Sequence, residues 1–141
     1  MEPIAVVQGI VMRGKRQGRT MGVPTANLPF PPGNGRPANG VYVAEVLFPD
    51  EDMRREEGVL SQGFHPTLPE GEPTVEVFLL NRHEDLYDRP IIIRYLHFMR
   101  PEMKFDSKDD LRRQMEQDVQ FARDWFARRG GQGGGEAPAS P

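Results

Sequence analysis

Thr25 and Asn27 stand two positions apart, so in extended backbone both side chains project from the same face. That face then carries a hydroxyl and an amide oxygen. Both are hard oxygen donors of the kind Mg²⁺ accepts, and a cation that keeps several waters and nucleotide oxygens needs only a few protein ligands. Just upstream, Gly18 and Gly22 flank Arg19, and glycines let backbone amides approach phosphate oxygens closely. Pro24 fixes its own φ and biases Val23 toward extended geometry. The stretch reads as a candidate Mg²⁺-nucleotide site. Gly, Pro, Thr and Asn are also ordinary turn vocabulary, and no G-x-x-x-x-G-K-[ST] phosphate loop is present.

Glu76 is the second candidate. The run from Thr74 to Leu80 alternates Val75, Val77 and Leu79 on one face with Glu76, Phe78 and Leu80 on the other. A carboxylate in mid-strand is either solvated at a sheet edge or turned into a pocket. The apolar residues sharing its face favour the pocket. The histidines at 65, 83 and 97 lack the i, i+4 spacing of a helical metal site, and no zinc is expected.

The elements that must position these residues follow from the pattern. Residues 4–12 are β-branched and apolar around Gly9, which predicts a strand that bends or bulges there. Proline and glycine break up the chain from Pro29 to Asn39. Strands are expected over 40–48, after which Pro49-Asp50 turns the chain, and over 54–62, the latter partly exposed. Residues 63–73 form a second Gly/Pro-rich loop, long enough to act as a flap. Asp85 to Asp88 reads as a turn, and the continuous apolarity of 89–99 predicts a strand buried on both faces. Asp106-Ser107 offers an N-cap, followed by an apolar stripe of Leu111, Met115, Val119, Ala122 and Phe126, with Arg128-Arg129 and Gly130 at the end. This is one amphipathic helix of about six turns, and Trp125 near its stripe reads as core rather than ligand contact. About six antiparallel strands and one helix, without βαβ alternation, point to a mainly β protein built as a small barrel.

The composition narrows the function classes. The chain has 141 residues, room for one domain over 1–129, with 130–141 a flexible Gly/Pro-rich tail. Lys plus Arg number 18 against 21 Asp plus Glu, a formal net charge of −3, so no global basic field draws it to nucleic acid or an anionic membrane. There is no cysteine for disulfides or thiolate metal sites, and the apolar runs are too short to span a bilayer. Met-Glu-Pro-Ile at the start lacks signal-peptide character. A cytoplasmic monomer is the expectation.

The order V-x-x-G-x-x-x-G-R-x-x-G-x-P-T-A-N-L from Val11 to Leu28 resembles the entry segment of the riboflavin kinase (flavokinase) family. Gly40-Val41-Tyr42, Gly63-Phe64-His65-Pro66-Thr67, Val75-Glu76-Val77, Asp85-Leu86-Tyr87 and the run Met99 to Phe105 are similar to that family's later blocks, in the same order. The resemblance spans roughly residues 4–129, leaving no counterpart of the adenylyltransferase domain fused to many bacterial members. It implies a six-stranded antiparallel Greek-key barrel with a C-terminal helix. It also implies transfer of the ATP γ-phosphoryl group to the riboflavin 5′-hydroxyl, making FMN. By the same resemblance Thr25 and Asn27 hold Mg²⁺, the amides around Gly18 and Gly22 bind phosphate with added charge from Lys15 or Arg19, and Glu76 accepts the hydroxyl proton. Arg100 and Phe105 wall the flavin cleft, with Arg100 also open to a salt bridge with Glu102 or the helix. The chain departs from the family pattern at Ser61-Gln62, where Asn-Ile is usual, at Asn81, at His83, and at Asp88, where glycine is usual. Those departures motivate an alternative, a catalytically weakened flavin-binding or regulatory module of the same fold.

Overall fold

The computed structural model describes residues 2–12, 25–29, 36–63, 74–82 and 84–130. Six strands form one antiparallel sheet: β1 (Ala5–Ile10), β2 (Ala26–Pro29), β3 (Gly40–Phe48), β4 (Arg54–Gly63), β5 (Thr74–Leu79) and β6 (Pro90–Arg100). They are ordered β1-β6-β3-β4-β5-β2, and the Met12 amide donates to the Asn27 carbonyl at 2.8 Å, bringing the two ends together. The sheet is a nearly closed barrel. At the seam, a Cβ on Gly9 would lie 3.3 Å from Leu28 Cδ2. The register of β1 against β6 runs unbroken through Gly9, so the glycine marks a close approach of β1 to β2 and not the expected bulge.

Alternation places one residue of each pair inside the barrel. Leu28, Tyr42, Val46, Phe48, Leu60, Val75, Val77, Ile91, Ile93 and Tyr95 fill it and are almost fully buried. Gln62 is buried among them, accepting from the Tyr95 hydroxyl at 2.7 Å and donating to the Pro37 carbonyl at 2.7 Å. Burial pushes the Tyr95 phenol well above its usual pKa, so it stays a neutral donor. The helix α1 (Lys108–Gly130) covers part of the outer face. The Ser107 hydroxyl accepts from the Asp110 amide at 3.1 Å, the anticipated N-cap. Ala122, Trp125 and Phe126 pack on Val43, Phe78 and Leu80, which confirms Trp125 as core.

The strand predicted over 89–99 is present one residue later, but it is not buried on both faces. Ile91, Ile93 and Tyr95 face the interior, while Ile92 and Arg94 on the outer face are only half-buried. Against β3, β6 carries an extra residue between Arg100 and Phe98 and another between His97 and Tyr95. Met99 and Leu96, the residues skipped, pack with the cluster under α1.

The barrel end formed by the β3–β4 turn is closed by charge. Arg82 donates to both oxygens of Glu51, at 3.1 and 2.6 Å, and Arg89 reaches Asp50, Glu51 and Glu84. Both guanidinium groups lie over the Phe48 ring, at 4.4 and 5.2 Å from its centroid. Their hydrogen bonds hold the Glu51 carboxyl down at about 2.

Candidate active site

β2 and β5 bring the two sequence candidates together. Asn27 lies directly opposite Glu76, and Thr25, two residues before Asn27, shares its face. The Thr25 hydroxyl donates to Glu76 Oε2 at 2.6 Å across 51 residues of sequence. Glu76 is 4% exposed and Asn27 1%. The pocket-facing reading of Glu76 is therefore correct, and the solvated-edge alternative is not. The Asn27 side-chain oxygen is buried and accepts no hydrogen bond from the described residues.

The register extends this face across the barrel. Glu76 pairs with Ser61 on β4, Ser61 with Val41 on β3, and Val41 with Arg100 on β6. Asn27, Glu76, Ser61, Val41 and Arg100 thus form one row across five strands. At about 4.8 Å per strand the row is roughly 19 Å long. Beside it run Phe78 and Val59, again cross-strand partners. Over the row stands the first half of α1, contributing Leu111, Met115, Asp118 and Val119. Sheet face and helix enclose an open cleft of ≈ 500 Å³, solvent-exposed space included. Its polar side chains lie at the two ends and the centre of the row, with apolar side chains between them.

Arg100 does two things. It lines the cleft, and its guanidinium makes a two-point contact with Asp118, Nε to Oδ1 at 3.1 Å and Nη2 to Oδ2 at 2.7 Å. Gln114 donates to the same Asp118 Oδ1 at 3.0 Å. Of the two salt-bridge partners left open for Arg100, the structure selects the helix. Asp118 is 5% exposed, so the pair ties α1 to the end of β6 from inside the cleft wall. Sequence reading missed Asp118 and Gln114, and noted Ser61 only as a departure from the family pattern. For the first two a signal existed, because positions 114 and 118 fall among the apolar stripe of 111, 115, 119 and 122, where polar residues need a partner.

Phe105 is half-buried on the connection from β6 to α1 and is not among the residues lining the cleft. Lys15, Gly18, Arg19 and Gly22, and the flap expected over 63–73 apart from Gly63, lie outside the described residues. Asp88 adopts φ 68°, a left-handed conformation in which glycine is unstrained. The departure at this position is thus accommodated with the backbone kept as a glycine would hold it.

The donor set fits a hard divalent cation. The Thr25 hydroxyl donates its hydrogen bond to Glu76, leaving its lone pairs available, and the buried Asn27 oxygen lies on the same face. Among the described residues no cluster of three His, Cys, Asp or Glu side chains is placed to hold a metal, so substrate oxygens and water would complete the shell. No helix among the described residues is long and apolar enough to cross a membrane.

Comparison with known proteins agrees with this geometry. The Flavokinase family, described as riboflavin kinase, matches residues 3–126. The bifunctional riboflavin kinase/FMN adenylyltransferase of Escherichia coli is 38% identical over 120 residues, 85% of this chain and 37% of that protein. The RNA-binding riboflavin kinase RibR of Bacillus subtilis is 33% identical over 117 residues, 82% of this chain and 49% of that protein. This chain therefore spans less than half the length of either relative. The crystal structure of riboflavin kinase from Trypanosoma brucei superposes with a TM-score of 0.55 at 23% identity, covering 96% of this chain and 91% of that one, which shows the shared fold. With the barrel, the capped helix and the conjunction of Thr25, Asn27 and Glu76 already in place, the family match over nearly the whole described chain means that it belongs to the riboflavin kinase family.

Proposed function

We propose that this chain transfers the γ-phosphoryl group of ATP to the 5′-hydroxyl of riboflavin, producing FMN and ADP. The observation that carries the reading is the buried Glu76 carboxylate, hydrogen-bonded to Thr25 and paired with Asn27, at one end of a largely apolar open cleft. Phosphoryl transfer passes through a loose transition state and asks the protein mainly for positioning and charge neutralisation. A carboxylate has about four acceptor sites, so Glu76 can hold Thr25 and still accept from a substrate hydroxyl. Glu76 orients that hydroxyl in line with the γ-phosphorus and takes its proton as the new O–P bond forms and the bond to the β-phosphate oxygen breaks. Because an alcohol is a far weaker acid than a carboxylic acid, the proton moves late, and orientation is a large part of the role. Mg²⁺ bound through Thr25 Oγ1 and Asn27 Oδ1 would neutralise charge on the β- and γ-phosphates.

Arg100, Val41, Val59 and Phe78 on the sheet, with Leu111 and Met115 on α1, receive the isoalloxazine ring. Lys15, Gly18, Arg19 and Gly22 bind the nucleotide phosphates. The working unit in this reading is a monomer, and the net charge of −3 supports small-molecule substrates over nucleic acid. A cytoplasmic setting supplies the ATP. The test is chromatographic detection of FMN after incubation with riboflavin, ATP and Mg²⁺, with a metal-free control. Metal-dependent FMN is expected. Quenching of riboflavin fluorescence without FMN would instead identify the weakened flavin-binding module.

A further inference from the structure

The row of side chains crossing the barrel holds one polar group that the reading above leaves unused. Ser61 lies between Glu76 and Val41, half-buried in the cleft floor, and its hydroxyl makes no side-chain hydrogen bond among the described residues. It sits one strand, about 4.8 Å, from the carboxylate that would hold the 5′-hydroxyl, and Arg100 lies two strands further on, at the ring end. Riboflavin joins its terminal hydroxyl to the ring through a five-carbon chain carrying three further hydroxyls. Such a chain outreaches one strand spacing and falls short of two, about 9.6 Å. With the 5′-hydroxyl at Glu76 and the ring further along the same row, against Val41 and toward Arg100, the inner hydroxyls pass over Ser61. Its neighbours there, Val41, Val59 and Phe78, offer no polar side chain.

Resting on the riboflavin kinase reading, we infer that Ser61 is a specificity-determining residue that hydrogen-bonds an inner ribityl hydroxyl and selects flavins with a polyhydroxyl side chain. A hydroxyl can donate or accept, so it serves this contact in either sense. A cleft that hydrogen-bonds a substrate hydroxyl discriminates against an analogue without it, because the protein group is then left unpaired. Ser61 also stands where the sequence departs from the Asn usual in the family. Under this inference the departure keeps a polar contact at the position while shortening the side chain that makes it.

The experiment compares riboflavin with a flavin whose ring nitrogen carries a 5-hydroxypentyl chain, which keeps the reacting hydroxyl and lacks the inner three. Ser61→Ala is expected to raise KM for riboflavin about 3- to 10-fold with kcat changed less than about twofold, the loss of one ground-state hydrogen bond. The same substitution leaves KM for the hydroxypentyl flavin at the wild-type value, and Ser61→Asn restores riboflavin binding. An unchanged riboflavin KM in Ser61→Ala, or an equal rise for both flavins, overturns the inference. Should the wild-type protein make no FMN, the kinase reading falls by itself. Fluorescence titration of the same proteins with the two flavins then decides the Ser61 contact separately: selective weakening toward riboflavin supports it, and equal affinities reject it.

Discussion

At the scale of single residues, the contact from Thr25 to Glu76 sets the chemistry. A threonine hydroxyl has one proton, and here it goes to the carboxylate, which fixes where its lone pairs are available for a cation. Asn27 adds a buried amide oxygen on the same face. Removing either oxygen therefore weakens metal-nucleotide binding before it affects flavin binding. Asn27→Ala is expected to lower kcat/KM for ATP by about 10- to 100-fold, with a higher Mg²⁺ requirement and an unchanged riboflavin affinity; Mg²⁺ titrations of initial rate check this. The shared face of Thr25 and Asn27 was legible from the two-residue period of extended backbone, and their role from the resemblance of the surrounding string to the riboflavin kinase family. Ser61 was not, since its neighbours are fixed by the pairing of β4 with β3 and β5, and no local pattern encodes that register.

At the scale of elements, the cleft exists because α1 is held at its two ends by different means. Its second half is packed on the sheet through Ala122, Trp125 and Phe126, while its first half stands over the open face and is tied to β6 by the contact of Arg100 with Asp118. Arg100 retains some access to water, so cutting the tie leaves a charge that can be resolvated. Asp118→Ala is expected to destabilise the fold by about 2 kcal/mol and to raise the riboflavin KM, as the helix loses its anchor beside the ring end of the cleft. Thermal melts and flavin kinetics on one preparation measure both, and an unaltered KM would remove Asp118 from the flavin wall. The helix itself was readable from its stripe and its Ser107 cap. The tie was not read, although a carboxylate among apolar positions announced that something basic had to meet it.

At the scale of the whole molecule, a barrel of six strands leaves its ends as the places where packing must be completed by other means. One end is capped by Arg82 and Arg89 over Phe48, with Asp50, Glu51 and Glu84 around them. The Glu51 carboxyl falls from an ordinary 4.5 to about 2, and Arg82 lowers Glu84 as well. A carboxylate with a depressed folded pKa stabilises the fold above its unfolded value, and that contribution is lost as pH falls from 4.5 through 2, because the unfolded chain takes up the proton first. The melting temperature should therefore drop less between these pH values in Glu51→Gln than in the wild type; parallel acid-induced drops would contradict the cap. Inside the barrel, Gln62 was legible only as an oddity of sequence, and the structure explains it by the buried hydroxyl of Tyr95 that it satisfies. Everything in this architecture converges on the carboxylate of Glu76, and the most direct test compares wild type with Glu76→Gln for FMN formation from riboflavin, ATP and Mg²⁺, alongside riboflavin binding by fluorescence. The account predicts that the variant binds riboflavin with near wild-type affinity and loses at least about 100-fold in kcat, at the scale of a removed general base. FMN formation at the wild-type rate in Glu76→Gln would contradict it.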